Sequence, residues 1–136
     1  MEIAEIYEKF PTREHCLIHL ENQIWEGKPK CPYCKSSNFT VLKHQRRYHC
    51  NRCNTPYSVT VKTIFHKTHV DLQKWLLAIS LLFHTRTNIS GRKLAQEIGV
   101  NKNTGCKMRE RICEAIIKER VLIERIVDFS SHFHDS

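Results

Sequence analysis

Cys31-Pro32-Tyr33-Cys34 and Cys50-Asn51-Arg52-Cys53 stand fifteen residues apart. Two C-x2-C pairs at that separation fit the structural zinc pattern. Each pair forms a tight knuckle that points two sulfurs at one centre, and the chain between them is long enough to turn back as a hairpin. Cys31, Cys34, Cys50 and Cys53 would then close a tetrahedral shell around one Zn²⁺ with no open position, a structural rather than a catalytic site. The metal would replace a core that so short a segment cannot build. Cys-Pro-Tyr-Cys alone is also the redox motif of glutaredoxins, but that motif needs a βαβ setting. Here a second pair follows at zinc spacing and no βαβ pattern surrounds it. His44 and His49 could in principle replace a cysteine, yet the four-cysteine set is complete without them. Cys16, Cys106 and Cys113 fall in helical patterns without partners at metal spacing, and Cys16 and Cys113 read as buried small apolar residues.

Around this centre the texture is that of short antiparallel strands. Phe39 and Val41 alternate with polar residues, as do Tyr57, Val59 and Val61. Upstream, Ile3, Ile6, Tyr7 and Phe10 have helical spacing. Pro11-Thr12 breaks that helix, and Thr12 can cap a second one carrying Cys16, Leu17 and Leu20. Gly27-Lys28-Pro29-Lys30 marks a loop, and Trp25 before it is expected to pack under the metal site.

Downstream the period becomes helical. Leu72, Trp75, Leu76, Ile79, Leu82 and Phe83 make one wide apolar stripe, with Asp71 where a first turn favours an acid. Thr87-Asn88 should end that helix. Ser90 reads as the N-cap of the next, which holds Leu94, Ala95 and Ile98 and stops at Gly99. Asn101 should cap a third, longer helix running through Met108, Ile112, Ala115, Ile116, Leu122, Ile123 and Ile126. Small Ala95, the glycine turn four residues later, Val100 and Met108 are the punctuation of a helix-turn-helix over residues 90–112. Gly105 departs from it, because a β-branched residue usually fills that position. The glycine would cost about 1 kcal/mol in helix propensity, and would permit a closer helix crossing or mark decay.

In such a unit the second helix enters the major groove by its N-terminal part. The exposed positions would be Asn101, Lys102, Asn103, Cys106, Lys107 and Glu110. Lys102 and Lys107 suit guanine edges or phosphates, Asn103 suits adenine, and Thr104 suits a phosphate. Arg92, Lys93 and Arg111 complete the basic set. The stripe over residues 122–126 would be a dimer seam or a scar, and residues 130–136 a loose tail.

Composition agrees with a polyanion partner. The 136 residues hold 22 Lys+Arg against 14 Asp+Glu, for a formal charge of +8. Four thiolates around one Zn²⁺ take two units off that charge and leave the chain basic. Seven cysteines, an odd number, with no basic start or apolar signal core at Met1-Glu2-Ile3-Ala4-Glu5, argue against secretion. The most apolar run, residues 76–83, is too short to span a bilayer. The expected fold class is small α+β. A four-cysteine zinc ribbon with N-terminal helices covers residues 1–66, an all-α helix-turn-helix domain covers 67–128, and the loose tail covers 129–136.

Residues 10–117 resemble the N-terminal part of bacterial insertion-sequence transposases that carry a zinc ribbon ahead of an RNase H-like DDE domain. The likeness begins at Phe10-Pro11-Thr12 and Cys16 and passes through Trp25 and both cysteine pairs. It is strongest in Tyr57-Ser58-Val59-Thr60-Val61-Lys62-Thr63-Ile64-Phe65 and Leu72-Gln73-Lys74-Trp75. It ends with Ile89-Ser90-Gly91-Arg92-Lys93-Leu94-Ala95-Gln96-Glu97-Ile98-Gly99-Val100 and Lys102-Asn103-Thr104. The resemblance implies binding of double-stranded DNA at element ends, in a cytoplasmic, nucleoid-associated bacterial protein. It also implies that catalysis resides in a DDE domain with two divalent ions held by three acids. The acids after Cys113 (Glu114, Glu119, Glu124, Asp128 and Asp135) lie in helical pattern or tail, so the expectation is a truncated, non-catalytic DNA-binding segment. A homodimer or an association with full-length transposase would fit it. The alternatives are half of a split transposase, a standalone transcriptional regulator, and an RNA-binding zinc protein.

Overall fold

The computed structural model describes residues 2–42, 46–66, 68–84 and 89–129. Two short helices come first, α1 (Ile3–Lys9) and α2 (Arg13–Ile24). Thr12 caps α2, its Oγ1 accepting from the His15 N–H at 3.4 Å. Next come three strands, β1 (Phe39–Leu42), β2 (Arg47–Cys50) and β3 (Pro56–Tyr57), in one antiparallel sheet of order β1-β2-β3. The register sets Phe39 opposite Cys50 and Tyr48 opposite Tyr57. Four helices complete the described chain: α3 (Leu72–His84), α4 (Gly91–Ile98), α5 (Lys102–Lys118) and α6 (Arg120–Ile126). This is the expected small α+β class.

The third strand is shorter than the alternation predicts. Val59 and Val61 lie in consecutive turns instead, closed by Val61 N–H to Ser58 O, Thr63 N–H to Thr60 O and His66 N–H to Thr63 O. Hydroxyls drive this. Ser58 and Thr60 hydrogen-bond each other at 2.9 Å, and the Thr63 hydroxyl donates to the Thr60 carbonyl at 2.5 Å. Ser and Thr side chains offer the backbone an alternative to the sheet ladder. Val41 is 63% exposed on the edge strand. The proposed stop at Thr87-Asn88 lies outside the described residues, as do His44 and residues 130–136.

The third helix also departs from expectation. It breaks at Glu119 (φ −135°, ψ 50°), and α6 folds back onto α2. There the His19 Nε2–H donates to the Ile126 carbonyl at 2.6 Å, and Arg125 bonds the Gln23 carbonyl. Ile123 and Ile126 are therefore buried within the chain's own core rather than left as an open seam.

Two cores result. The larger joins Ile6, Phe10, Leu17 and Leu20 to Val59, Phe65 and the apolar faces of α3, α4, α5 and α6. Buried Gln73 ties α3 to α1 by donating to the Phe10 carbonyl at 3.0 Å. The smaller core holds Cys31, Tyr48, Cys50 and Tyr57, with Trp25 packed against both. Among the described residues no helix is long and apolar enough to cross a membrane.

Candidate metal centre and nucleic-acid face

Both cysteine pairs fold into the same knuckle. The Lys35 N–H donates to the Cys31 carbonyl at 2.9 Å, and the Asn54 N–H donates to the Cys50 carbonyl at 2.9 Å. Each knuckle closes with the N–H of its first cysteine on a carbonyl five residues on: Cys31 to Ser36 and Cys50 to Thr55, both at 3.0 Å. The residue after each pair is left-handed, Lys35 at φ 65° and Asn54 at φ 57°. The β1–β2 hairpin brings the second knuckle onto the first, and Asn51 fastens them by donating to the Asn38 carbonyl at 3.1 Å.

Four sulfurs converge as a result. Cys31 and Cys53 Sγ lie 3.7 Å apart, Cys34 and Cys50 Sγ 3.5 Å, and all four within 4.8 Å of one another. Thiolates about 2.3 Å from a tetrahedral Zn²⁺ stand about 3.8 Å from each other. The donor set and spacing fit one structural zinc. Without a cation the four cannot all ionise together. The Cys53 N–H on its sulfur holds Cys50 down to about 6. Cys34, despite a hydrogen bond with Ser36 that works the other way, is pushed by burial and its neighbouring thiols to about 11. A dication removes that conflict by favouring every thiolate.

Aromatic rings floor the site. Trp25 meets Tyr48 and Tyr57 edge-on, with centroids 5.6 and 5.8 Å away. This is the packing expected of Trp25. Beneath it lies a residue the sequence reading missed. Glu21, only 6% exposed, accepts from Arg46 through one oxygen (Nη2 2.7 Å, Nε 3.1 Å) and from the Tyr48 hydroxyl through the other (2.9 Å). Burial, then the bond to Glu21, pushes the Tyr48 phenol up. A signal existed: Glu21 lies four residues after Leu17 and three before Ile24, so it is an acid on an apolar helix face and requires a buried donor. Glu21→Ala strands both partners. Arg46 is one-third exposed, so the loss should be about 2 kcal/mol rather than the full value for a buried pair. Urea denaturation of the zinc-loaded protein checks it; an unchanged midpoint would remove Glu21 from this role.

The α4–α5 unit is built as its punctuation predicts. Ser90 Oγ accepts from the Lys93 N–H at 3.1 Å, and Asn101 Oδ1 from the Thr104 N–H at 2.8 Å. Gly99 ends α4 at φ 74°, ψ 43°, left-handed backbone that most side chains adopt only with strain. Gly105 resolves as close packing: a Cβ there would lie 2.5 Å from Ala95 Cβ and 2.8 Å from the Gly91 carbonyl oxygen. A Cβ on Gly91 would meet Cys106 Sγ at 2.4 Å. Cys106 is thus exposed yet leans on α4.

Lys102, Asn103, Lys107 and Arg111 are exposed along α5, the last three at i, i+4 and i+8 on one face. Thr104 is half-buried. Arg92 and Lys93 are exposed on α4, where Lys93 pairs with Glu97 at 3.1 Å. Arg111 Nη1 reaches the Ile64 carbonyl at 3.5 Å. Cys16 is buried, as expected, and Cys113 half-buried.

Residues 11–56 match the transposase zinc-ribbon domain family. Over those residues the ribbon is similar to that family. A second likeness extends past this ribbon. Over 112 residues the chain is 28% identical to an "Uncharacterized protein in transposable element ISH50" of Halobacterium salinarum. The aligned part covers 80% of this chain, which spans 37% of that relative's length. No solved structure matches the chain. A ribbon similar to the transposase zinc-ribbon family therefore sits in a chain that resembles, along most of its length, a protein of a transposable element.

Proposed function

We propose that this chain is the DNA-binding N-terminal portion of an insertion-sequence transposase, which recognises the ends of its element in duplex DNA. The observation that carries this reading is the α4–α5 unit: two capped helices crossing closely at Gly91, Ala95 and Gly105, with Asn103, Lys107 and Arg111 outward on one face of α5. The formal charge of +8 and the transposase zinc ribbon support it. In this reading residues 67–128 read DNA, and residues 1–66 with zinc on Cys31, Cys34, Cys50 and Cys53 brace them. Lys102 and Lys107 contact guanine edges or phosphates and Asn103 an adenine; Arg92, Lys93, Thr104 and Arg111 hold the backbone. We assign no strand cutting to the described residues. Glu114 lies on α5, Glu124 on α6 and Glu119 at the break between them, and Glu114 is paired with Lys118 at 2.6 Å. Cutting would belong to a DDE segment acting with this one, through association with full-length transposase or a second copy.

The test is binding to duplexes taken from either side of the reading frame, where inverted repeats would supply the specific probe. Lys102→Ala and Lys107→Ala should each weaken binding about tenfold, and each lost phosphate contact should lower the salt slope by about 0.9. Neither should change the far-ultraviolet circular dichroism. Unchanged affinity in both variants overturns the groove assignment, and a preference for single-stranded RNA of equal length overturns the DNA reading.

A further inference from the structure

A cleft of about 320 Å³ runs along the seam where the ribbon meets α5 and α6. Its floor is apolar, with Trp25, Val59, Phe65 and Ile123 among the residues that line it, and its rim carries Lys30, Lys35 and Lys62. A second, more open cleft of about 770 Å³ shares Lys62, Thr63, Ile64, Ala115 and Glu119 with the first and adds His66, Arg111, Glu114 and Lys118. The two form one groove. Lys118 already neutralises Glu114, which leaves Lys30, Lys35, Lys62 and Arg111 set against Glu119.

Two of these lysines occupy left-handed backbone, Lys35 at φ 65° and Lys62 at φ 61°. Glycine and asparagine suit that conformation best, and Asn54 fills the matching position of the other knuckle. Backbone geometry therefore does not account for lysine at either site. Charge does. Lys62 is also held in place, its ammonium 4.9 Å from the centre of the exposed Tyr33 ring. Arg111 belongs both to the outward face of α5 and to the wall of the groove, so the two surfaces are continuous.

We propose that this groove is a phosphate track: the backbone of a duplex seated on α5 runs past Arg111 and Lys62 to Lys35 and Lys30 on the zinc ribbon. The inference rests on the DNA-binding reading above and adds a second contact surface to it. Phosphate contacts are independent of sequence, so a duplex of arbitrary sequence suffices as probe.

The experiment compares zinc-loaded protein on duplexes of about 30 and about 10 base pairs, the shorter being one helical turn. Lys35→Asn and Lys62→Asn remove charge while keeping a residue tolerant of left-handed backbone. Lys30→Gln, outside the cysteine knuckle, serves should Lys35→Asn disturb zinc binding. Each variant should bind the longer duplex about five- to tenfold more weakly, with the salt slope lowered by about 0.9, and the shorter duplex as wild type does. Arg13→Ala, exposed and outside the groove, is the control for bulk charge. Groove variants no weaker than Arg13→Ala, with Lys102→Ala and Lys107→Ala still impaired, overturn the track alone. Groove variants impaired while the α5 variants bind normally support the track and overturn the α5 assignment. No binding of duplex by wild type, or tighter binding of single-stranded RNA, overturns both.

Discussion

Stripping the zinc with a chelator should unfold residues 31–57 and leave the helices standing. Zinc binding of roughly 10–16 kcal/mol is typical of four-ligand structural sites, more than the aromatic cluster of Tyr48, Tyr57, Phe39 and Trp25 replaces in so short a segment. The limit of the unfolding follows from the two cores. Cys31, Cys50, Tyr48 and Tyr57 pack around the metal position, whereas Val59 and Phe65 belong to the helical core. The chain should therefore lose its structure up to β3 and keep the turns that follow. Trp25 reports the event because it touches both cores: its emission should shift to the red and the near-ultraviolet signal of the rings should collapse. The helical signal at 222 nm should persist, carried by α3, α4 and α5. Each ligand must be a thiolate, so protons compete with the metal. Acid should release zinc and produce the same partial unfolding, and readdition at neutral pH should reverse it. A chelated protein with unchanged near-ultraviolet spectrum, shown metal-free by elemental analysis, would mean that the ribbon does not depend on zinc.

What could be read from the sequence was local chemistry. The cysteine spacing announced the metal shell because a knuckle and a hairpin leave little freedom in where the sulfurs go. Thr12, Ser90, Asn101 and Gly99 marked helix ends because a cap acts within a few residues of itself. Long-range features were not legible. Nothing near Glu119, neither proline nor glycine, signals the break between α5 and α6; docking of α6 on α2, more than a hundred residues away in sequence, supplies the reason. Val59 and Val61 alternate like a strand, yet the hydroxyls of Ser58, Thr60 and Thr63 turn that segment back on itself. One buried cluster also runs from α1 and α2 into α3, α4, α5 and α6. The apolar residues before the ribbon and those after it complete one another's core, which no window on a single segment displays.

Gly105→Ala should destabilise the protein, against the sign that helix propensity gives. In a free helix the change would gain about 1 kcal/mol. In α5 the new Cβ would stand 2.5 Å from Ala95 Cβ, 2.9 Å from Ala95 Cα and 2.8 Å from the Gly91 carbonyl oxygen. Two of those three neighbours are backbone atoms of α4, which cannot swing aside as the end of a flexible side chain can. Overpacking a well-filled interface costs about 1–3 kcal/mol. Here the upper part of that range applies, so the net loss should be about 2 kcal/mol, or roughly 6–10 °C in Tm at this chain length. Gly105→Val, the β-branched choice common at such a turn, should be worse. α5 can relieve the contact only by moving away from α4. That shifts Asn103 and Lys107 relative to Arg92 and Lys93, so duplex affinity should fall even at temperatures where the variant is fully folded. Zinc content should stay at one per chain, because the four sulfurs sit in the other core. A rise in Tm for Gly105→Ala would show that α4 and α5 do not cross at this distance, and with it the geometry that aims α5 at DNA would lose its support.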